Sequence, residues 1–282
     1  MRPYVVMRSH NDMPLIAETL RQLHHQNHAF ELLALDNASS DGTVEELRKY
    51  TDHIINIPTG QYVPGRVLNL GMASSTGELV VFLNSDCTPQ NEHWLESLLA
   101  GFDSDRTAAV FGRQLPRSDC HPLFAKDTED TYGDGARQKY WRHCFSMASS
   151  AIRRSVWEKR PFSEAIQYSE DIEWTWWARQ QGYAIRYAPQ SMVAHSHNYT
   201  LRQFYRRHYG EGKADAAIFD WSWWDRSLLR YSLLPYSRQL VSDLKYCIGR
   251  GLYRAALYSP VLRMAQLLGR CKGLRAGLKE KK

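Results

Sequence analysis

Residues 78–86 read Glu78-Leu79-Val80-Val81-Phe82-Leu83-Asn84-Ser85-Asp86, directly after the turn signal Gly77. An unbroken apolar run of this length fits a strand buried on both faces. Strands covered on both faces belong to parallel sheets with helices above and below. The run stops at Asn84-Ser85-Asp86. Ligands of such sheets lie beyond the carboxyl ends of the strands, so this polar, acidic end is where chemistry is expected, although a plain strand end would look the same.

Upstream, strand and helix signals alternate. Tyr4–Met7, Phe30–Leu35 and His53–Ile57 read as strands, and residues 14–26, 43–50 and 66–75 as helices. Downstream, residues 92–102 read as a helix and Ala108–Phe111 as a strand. This alternation predicts an α/β fold with a mostly parallel central sheet flanked by helices. Residues 112–150 are polar and irregular, as in a binding loop or lid. A short helix is expected over 151–160, a second from about Tyr168 to Gln181, a strand over Tyr183–Tyr187, a short strand before Ala194, and a helix over 200–208. The expected division is a domain over 1–212, in halves 1–110 and 111–212, followed by a basic helical extension over 213–282.

The chain has 282 residues, 43% apolar and 23% charged, which supports a packed core and excludes global disorder. No window approaches the roughly 20 apolar residues of a membrane-spanning helix. The opening MRPYVVMRSHND turns polar after Met7, so no secretory signal is expected. Five cysteines without a CxxC pair fit a reducing, cytoplasmic setting. The net charge of +6 is unevenly placed: residues 226–282 carry +11 and the rest −5. A mildly acidic body is not that of a nucleic-acid binder.

GxGxxG, P-loop, HExxH and GxSxG motifs are absent. What remains is a set of carboxylates at strand and helix ends. Asp36 and Asp41 lie in DNASSDGT (36–43) after the second strand; a turn plus helix cap is the plain alternative. Asp86, aided by Asn84, offers hard oxygen ligands suited to Mg²⁺ or Mn²⁺. Glu170-Asp171 could supply a general base, or could simply complement a helix dipole. His195 and His197 share one face of an extended segment, where such a pair is more often structural than functional.

The order of SHND (9–12), DNASSDGT (36–43), GRVLNLG (65–71), NSD (84–86), SEDIEW (169–174) and HSHNYT (195–200) resembles the family 2 glycosyltransferases. These have the GT-A fold and invert configuration. Within the family the chain is most similar to bacterial rhamnosyltransferase-type enzymes of O-antigen and capsule synthesis. The resemblance implies a nucleotide-sugar donor (dTDP-rhamnose or a UDP-hexose) and a glycan or lipid-linked acceptor. It implies Asp171 as catalytic base and Asp86 with His195 at the metal. It also implies Ser9, Asn11, Asp36, Asn37, Asp41, Arg66, Asn69 and Ser85 around the nucleotide, and Glu170 and Trp174 around the acceptor. Two positions depart from the family pattern. Asn84 replaces the first acid of DxD, and Arg8 stands where many members carry a small or apolar residue. Arg8 is open to a diphosphate contact or to an ion pair.

In the basic extension Leu240, Leu244, Ile248, Leu252 and Ala256 recur every four positions. Arg238, Lys245, Arg250, Arg254, Arg263 and Arg270 fill much of the remainder, and Trp221, Trp223, Trp224, Tyr231 and Tyr236 precede or enter it. Two occupants are expected equally: an anionic membrane surface at the inner face, or protein, in the form of the catalytic domain or a second subunit. The competing functions are a sugar-phosphate nucleotidyltransferase, which would carry a Gly-rich loop after the first strand, and a silent scaffold on the same fold.

Overall fold

The computed structural model describes residues 2–138, 143–220, 231 and 233–281; Trp221, Trp223 and Trp224 lie outside them. The order of elements is β1 (Tyr4–Ser9), α1 (Leu15–His24), β2 (Glu31–Asp36), α2 (Thr43–Leu47), β3 (Ile54–Asn56), α3 (Pro64–Ser74), β4 (Leu79–Asn84), β5 (Thr88–Pro89) and α4 (Trp94–Leu99). It continues with β6 (Thr107–Leu115), α5 (Pro122–Tyr132), β7 (Ser149–Arg153), α6 (Arg154–Trp157), α7 (Glu170–Gln180), β8 (Ala184–Ala194), α8 (Leu201–Ile218), α9 (Leu234–Ile248) and α10 (Tyr253–Glu280).

One eight-stranded sheet runs β3-β2-β1-β4-β7-β6-β8-β5. The β3-β2-β1-β4 half is parallel, and β7 enters antiparallel between β4 and β6. Side chains of a strand alternate between faces, and here both faces are covered. Val6, Leu33, Leu35, Val80 and Phe82 pack into one core with Val67 and Leu68 of α3 and Trp174 of α7. Val5, Met7, Leu32, Val81 and Leu83 pack into the other with Ile16, Leu20 and Leu23 of α1 and Trp94 of α4. This two-sided burial explains the near-continuous apolar reading of β4. Gly71 lets α3 lie close to the sheet, since a Cβ there would come within 2.7 Å of the Val6 side chain.

Several expectations change. The helix expected over 151–160 is confined to α6, Arg154–Trp157, because residues 151–153 complete strand β7, whose two neighbouring strands supply its hydrogen-bond partners. The segment over 112–150, expected to be irregular, holds the end of β6 and all of α5. The two strands expected over 183–194 are one, paired with β6 through a register shift between Gly112 and Arg113. The apolar stripe from Leu240 to Ala256 is broken, as α9 ends at Ile248 and α10 begins at Tyr253 after Gly251 at φ +69°.

The chain forms two compact units: Met1–Arg117 with Glu129–Ile166 and Glu170–His195, and Ser118–Thr128 with Gln167–Ser169 and Ser196–Lys282. The expected boundary at 212/213 falls inside α8. Within the second unit α10 lies tight against α8, for a Cβ at Gly273 would collide with the Tyr209 carbonyl. Arg263, one of the basic residues of the extension, is 1% exposed and pairs with Asp243 and Asp127 at 2.7 Å each. Lys126 also reaches Asp243, at 3.2 Å. Arg270 bonds Asp215 at 3.3 Å. Among the described residues no helix is long and apolar enough to cross a membrane.

Candidate active site

The parallel register places Ser9, the last residue of β1, beside Asp36, the last of β2. Ser9 Oγ donates to Asp36 Oδ1 at 2.9 Å, and the Ser39 amide and hydroxyl donate to the same carboxylate at 2.8 and 2.6 Å. Asp36 is therefore buried as the hub of its loop. Asn11, at φ +52°, accepts from the Ser40 amide at 2.8 Å. The Asn37 amide donates to the Ser9 carbonyl at 2.9 Å. Asp41 accepts from the Met13 and Thr43 amides at 2.9 and 3.1 Å and so ties the loop together, while Gly42, at φ +99°, is the N-cap of α2. These residues form one hydrogen-bonded knot beyond β1 and β2, in which the turn function is met in full.

Asp12 joins this knot to the end of β4, a link that the sequence analysis did not find. Its carboxylate accepts from the His10 amide at 2.8 Å and from Ser85 Oγ. Burial pushes its pKa up against those two donors, and Asp86 and Asp41 add repulsion. The available signal was its place at the end of the first strand, the same criterion that selected Asp36 and Asp86.

Beyond β4, Asp86 Oδ2 lies 3.5 Å from His195 Nε2 at the end of β8. Gln114 Nε2 donates to Ser146 Oγ at 2.9 Å, which turns its Oε1 to His195 Nδ1 at 2.7 Å. Nδ1 then donates to Gln114, and Nε2 is the ring nitrogen turned toward Asp86. A carboxylate oxygen and an oriented imidazole nitrogen fit Mn²⁺ or Mg²⁺, with Gln114 in the supporting position common to such ligands. Cys87 brings a third donor atom within 4.8 Å, but burial pushes its thiol well up and Asp86 adds to this, so it stays protonated and soft. Arg117 donates to the Asp86 carbonyl.

Arg8 is paired within the chain. Nε and Nη2 donate to Asn84 Oδ1 at 3.1 and 2.7 Å, while Nη1 stands 4.0 Å from Glu170 Oε1. Asp171 follows in the first turn of α7, where it accepts from the Met147 and Ile172 amides at 3.0 and 2.8 Å. The neighbouring Ala148 carbonyl accepts from the Asn84 amide at 2.9 Å, so residues 147–148 touch both α7 and the end of β4. Burial pushes the pKa values of Glu170 and Asp171 up; their mutual repulsion adds to this for Glu170, and Arg8 opposes it for both.

The remaining expected residues make the following contacts within the chain. Trp174 is fully buried against Phe162, with Nε1 donating to the Arg160 carbonyl at 2.7 Å, so it is core and offers an acceptor no surface. Its helical spacing from the apolar face of α7 decides this. The Asn69 amide is spent on the Phe162 backbone and on Trp157 Nε1. Arg66 pairs with Glu164 at 3.1 Å. His197 packs its ring against Tyr199.

The sheet is covered on both faces and carries acids beyond the ends of β1, β2 and β4. The chain belongs to glycosyl transferase family 2, whose model matches residues 4–160. It is 34% identical over 197 residues to the O-antigen chain rhamnosyltransferase WbaN of Salmonella anatum, covering 66% of this chain and 62% of that one. It is 29% identical over 200 residues to the O-antigen chain rhamnosyltransferase RfbN of Salmonella typhimurium, covering 64% and 62%. The match thus spans less than two thirds of the length of these relatives. In fold the chain is similar to the mannosyltransferase PcManGT from Pyrobaculum calidifontis in complex with GDP-Man and Mn²⁺, with a TM-score of 0.67 at 17% identity, covering 100% of this chain and 88% of that one. It is also similar to glucosyl-3-phosphoglycerate synthase from Mycobacterium tuberculosis in complex with Mn²⁺, UDP-glucose and phosphoglyceric acid, with a TM-score of 0.57 at 16% identity, covering 78% and 81%. The fold is GT-A.

Proposed function

We propose that this chain moves a sugar, with inversion, from a nucleotide-diphosphate donor to a hydroxyl of a glycan or lipid-linked glycan. Family membership and the rhamnosyltransferase relatives favour dTDP-rhamnose as donor, with UDP-hexoses next. The observation that carries the reading is the link from Asn84, two residues before Asp86, through Arg8 to Glu170, the neighbour of Asp171. It joins a donor set for a phosphate-bound cation to a candidate base.

Asp171 accepts the proton of the acceptor hydroxyl as that oxygen bonds the anomeric carbon and the bond from that carbon to the diphosphate oxygen breaks. Its two backbone donors orient the carboxylate, and its raised pKa makes it a stronger base than a solvated aspartate. A cation bound by Asp86 and His195 would neutralise charge on the departing diphosphate. The knot of Ser9, Asn11, Asp36, Asn37 and Asp41 gives the nucleoside a rigid wall. Glu170, beside Asp171, faces the acceptor.

The test is thermal stabilisation by a panel of nucleotides with and without Mn²⁺, followed by donor turnover. Stabilisation by dTDP or UDP that deepens with Mn²⁺ is expected. Failure of every nucleotide to stabilise the chain would favour the silent scaffold and sink the reading.

A further inference from the structure

The second unit carries a surface that sugar transfer does not use. On α10 the side chains of Tyr253, Leu257, Val261, Met264 and Leu268 are all exposed, Leu257 at 81%. Their spacings of four, four, three and four residues confine them to an arc of about 80° on a helix turning about 100° per residue. The stripe runs about 22 Å along the axis. Arg275 and Lys279 continue the same arc toward the end of the helix, and Arg254 and Lys272 flank it. All four are exposed.

The charge balance of this surface is one-sided. Between Leu233 and Lys279 the sequence holds a single carboxylate, Asp243. Asp243 is buried and committed to Arg263 and Lys126. Arg263 and Arg270 are likewise engaged with acids inside the unit. Asp243 and Glu280 are the two carboxylates of α9 and α10, and Glu280, at the last turn, pairs with Lys213 at 2.8 Å. A second copy of the same face would therefore set apolar side chains and cations mainly against the same groups, with Glu280 as its one outward acid. An anionic bilayer supplies both missing partners, acyl chains for the stripe and phosphate for the Lys and Arg residues.

We infer that the outward face of α10 docks on an anionic lipid surface. The apolar stripe enters the headgroup boundary while Arg254, Lys272, Arg275 and Lys279 contact lipid phosphates. The inference is independent of the proposed transfer reaction.

Vesicle co-sedimentation of the full chain tests it. The vesicles are pure phosphatidylcholine or phosphatidylcholine with about 30% phosphatidylglycerol, in low and in high salt. Binding to the anionic vesicles only, weakened by salt, is expected. Both L257E/V261E and R275E/K279E lower the partition coefficient about tenfold or more, while the thermal midpoint stays that of the parent because these side chains are exposed. Absence of binding at low salt, or binding that neither double variant changes, overturns the inference. So does a concentration-dependent dimer by light scattering that L257E/V261E dissolves, since that result gives the face to a second copy. Co-sedimentation reads no catalytic step, so failure here and failure of sugar transfer are separately visible.

Discussion

The Arg8 guanidinium donates twice to a single oxygen, Asn84 Oδ1, while its other amino group stands 4.0 Å from Glu170. The two positions at which this chain leaves the usual family pattern are therefore one unit. An aspartate at 84 would face Arg8 as an ion pair, whereas the amide oxygen accepts the same bonds without neutralising the cation. The Arg8 charge remains available to the acids of α7.

Replacing Arg8 by Met removes that charge. A nearby cation favours the ionised forms of Glu170 and Asp171, so its loss pushes their already raised pKa values further up. Base catalysis needs Asp171 ionised. The acidic limb of kcat/KM therefore moves to higher pH in R8M and largely returns in R8K, as measured by a pH–rate profile. An unmoved limb would show that Arg8 acts only on Asn84.

Asp171→Asn keeps the size of the side chain and one carbonyl-type acceptor for the Met147 and Ile172 amides. Donor binding, followed by calorimetry, should persist. Transfer should fall by about 10²–10⁴, the usual range for loss of a general base. Turnover at the parental rate would remove Asp171 from the reaction.

Gln114→Leu leaves Asp86 and His195 in place but takes away the acceptor that orients the imidazole. Supporting residues of this kind change metal affinity by roughly 10–100-fold. Mn²⁺ titration followed by electron paramagnetic resonance should report weaker binding, and donor-dependent thermal stabilisation should shrink with it. Asp86→Ala should abolish the Mn²⁺-dependent part altogether.

In the second unit, Arg263→Met leaves Asp243 buried with only Lys126 and Ser259 as partners. Breaking one side of a buried ion pair costs about 3–5 kcal/mol. The linkage also has a sign. Burial pushes the Asp243 pKa up, but the Arg263 and Ser259 hydrogen bonds and the charges of Arg263 and Lys126 outweigh it and hold the carboxyl low. Its contribution is therefore present above the ordinary aspartate range and lost as pH falls through the lowered value. Denaturant melts should show the R263M deficit at neutral pH and a smaller one in acid, with Asp243→Asn in the same chain recovering part of the loss.

The apolar run of β4, the helical spacing of α1 and the acids placed after β2 and β4 were readable because each is a local pattern: alternation, periodicity and a break in polarity. They determined an α/β sheet and the strand ends at which to look. Local pattern did not reveal that Ser149–Arg153 is a strand, since its pairing comes from β4 and β6, distant in sequence. Nor did it separate Trp174, which the core absorbs, from Asp171 three residues earlier. Arg117 and Gln114 were invisible for the same reason, as their partners Asp86 and His195 lie far along the chain. A sequence states which groups are available. Only the folded arrangement decides which charges meet, because a hydrogen bond or an ion pair acts over a few ångströms whatever the number of residues between its ends.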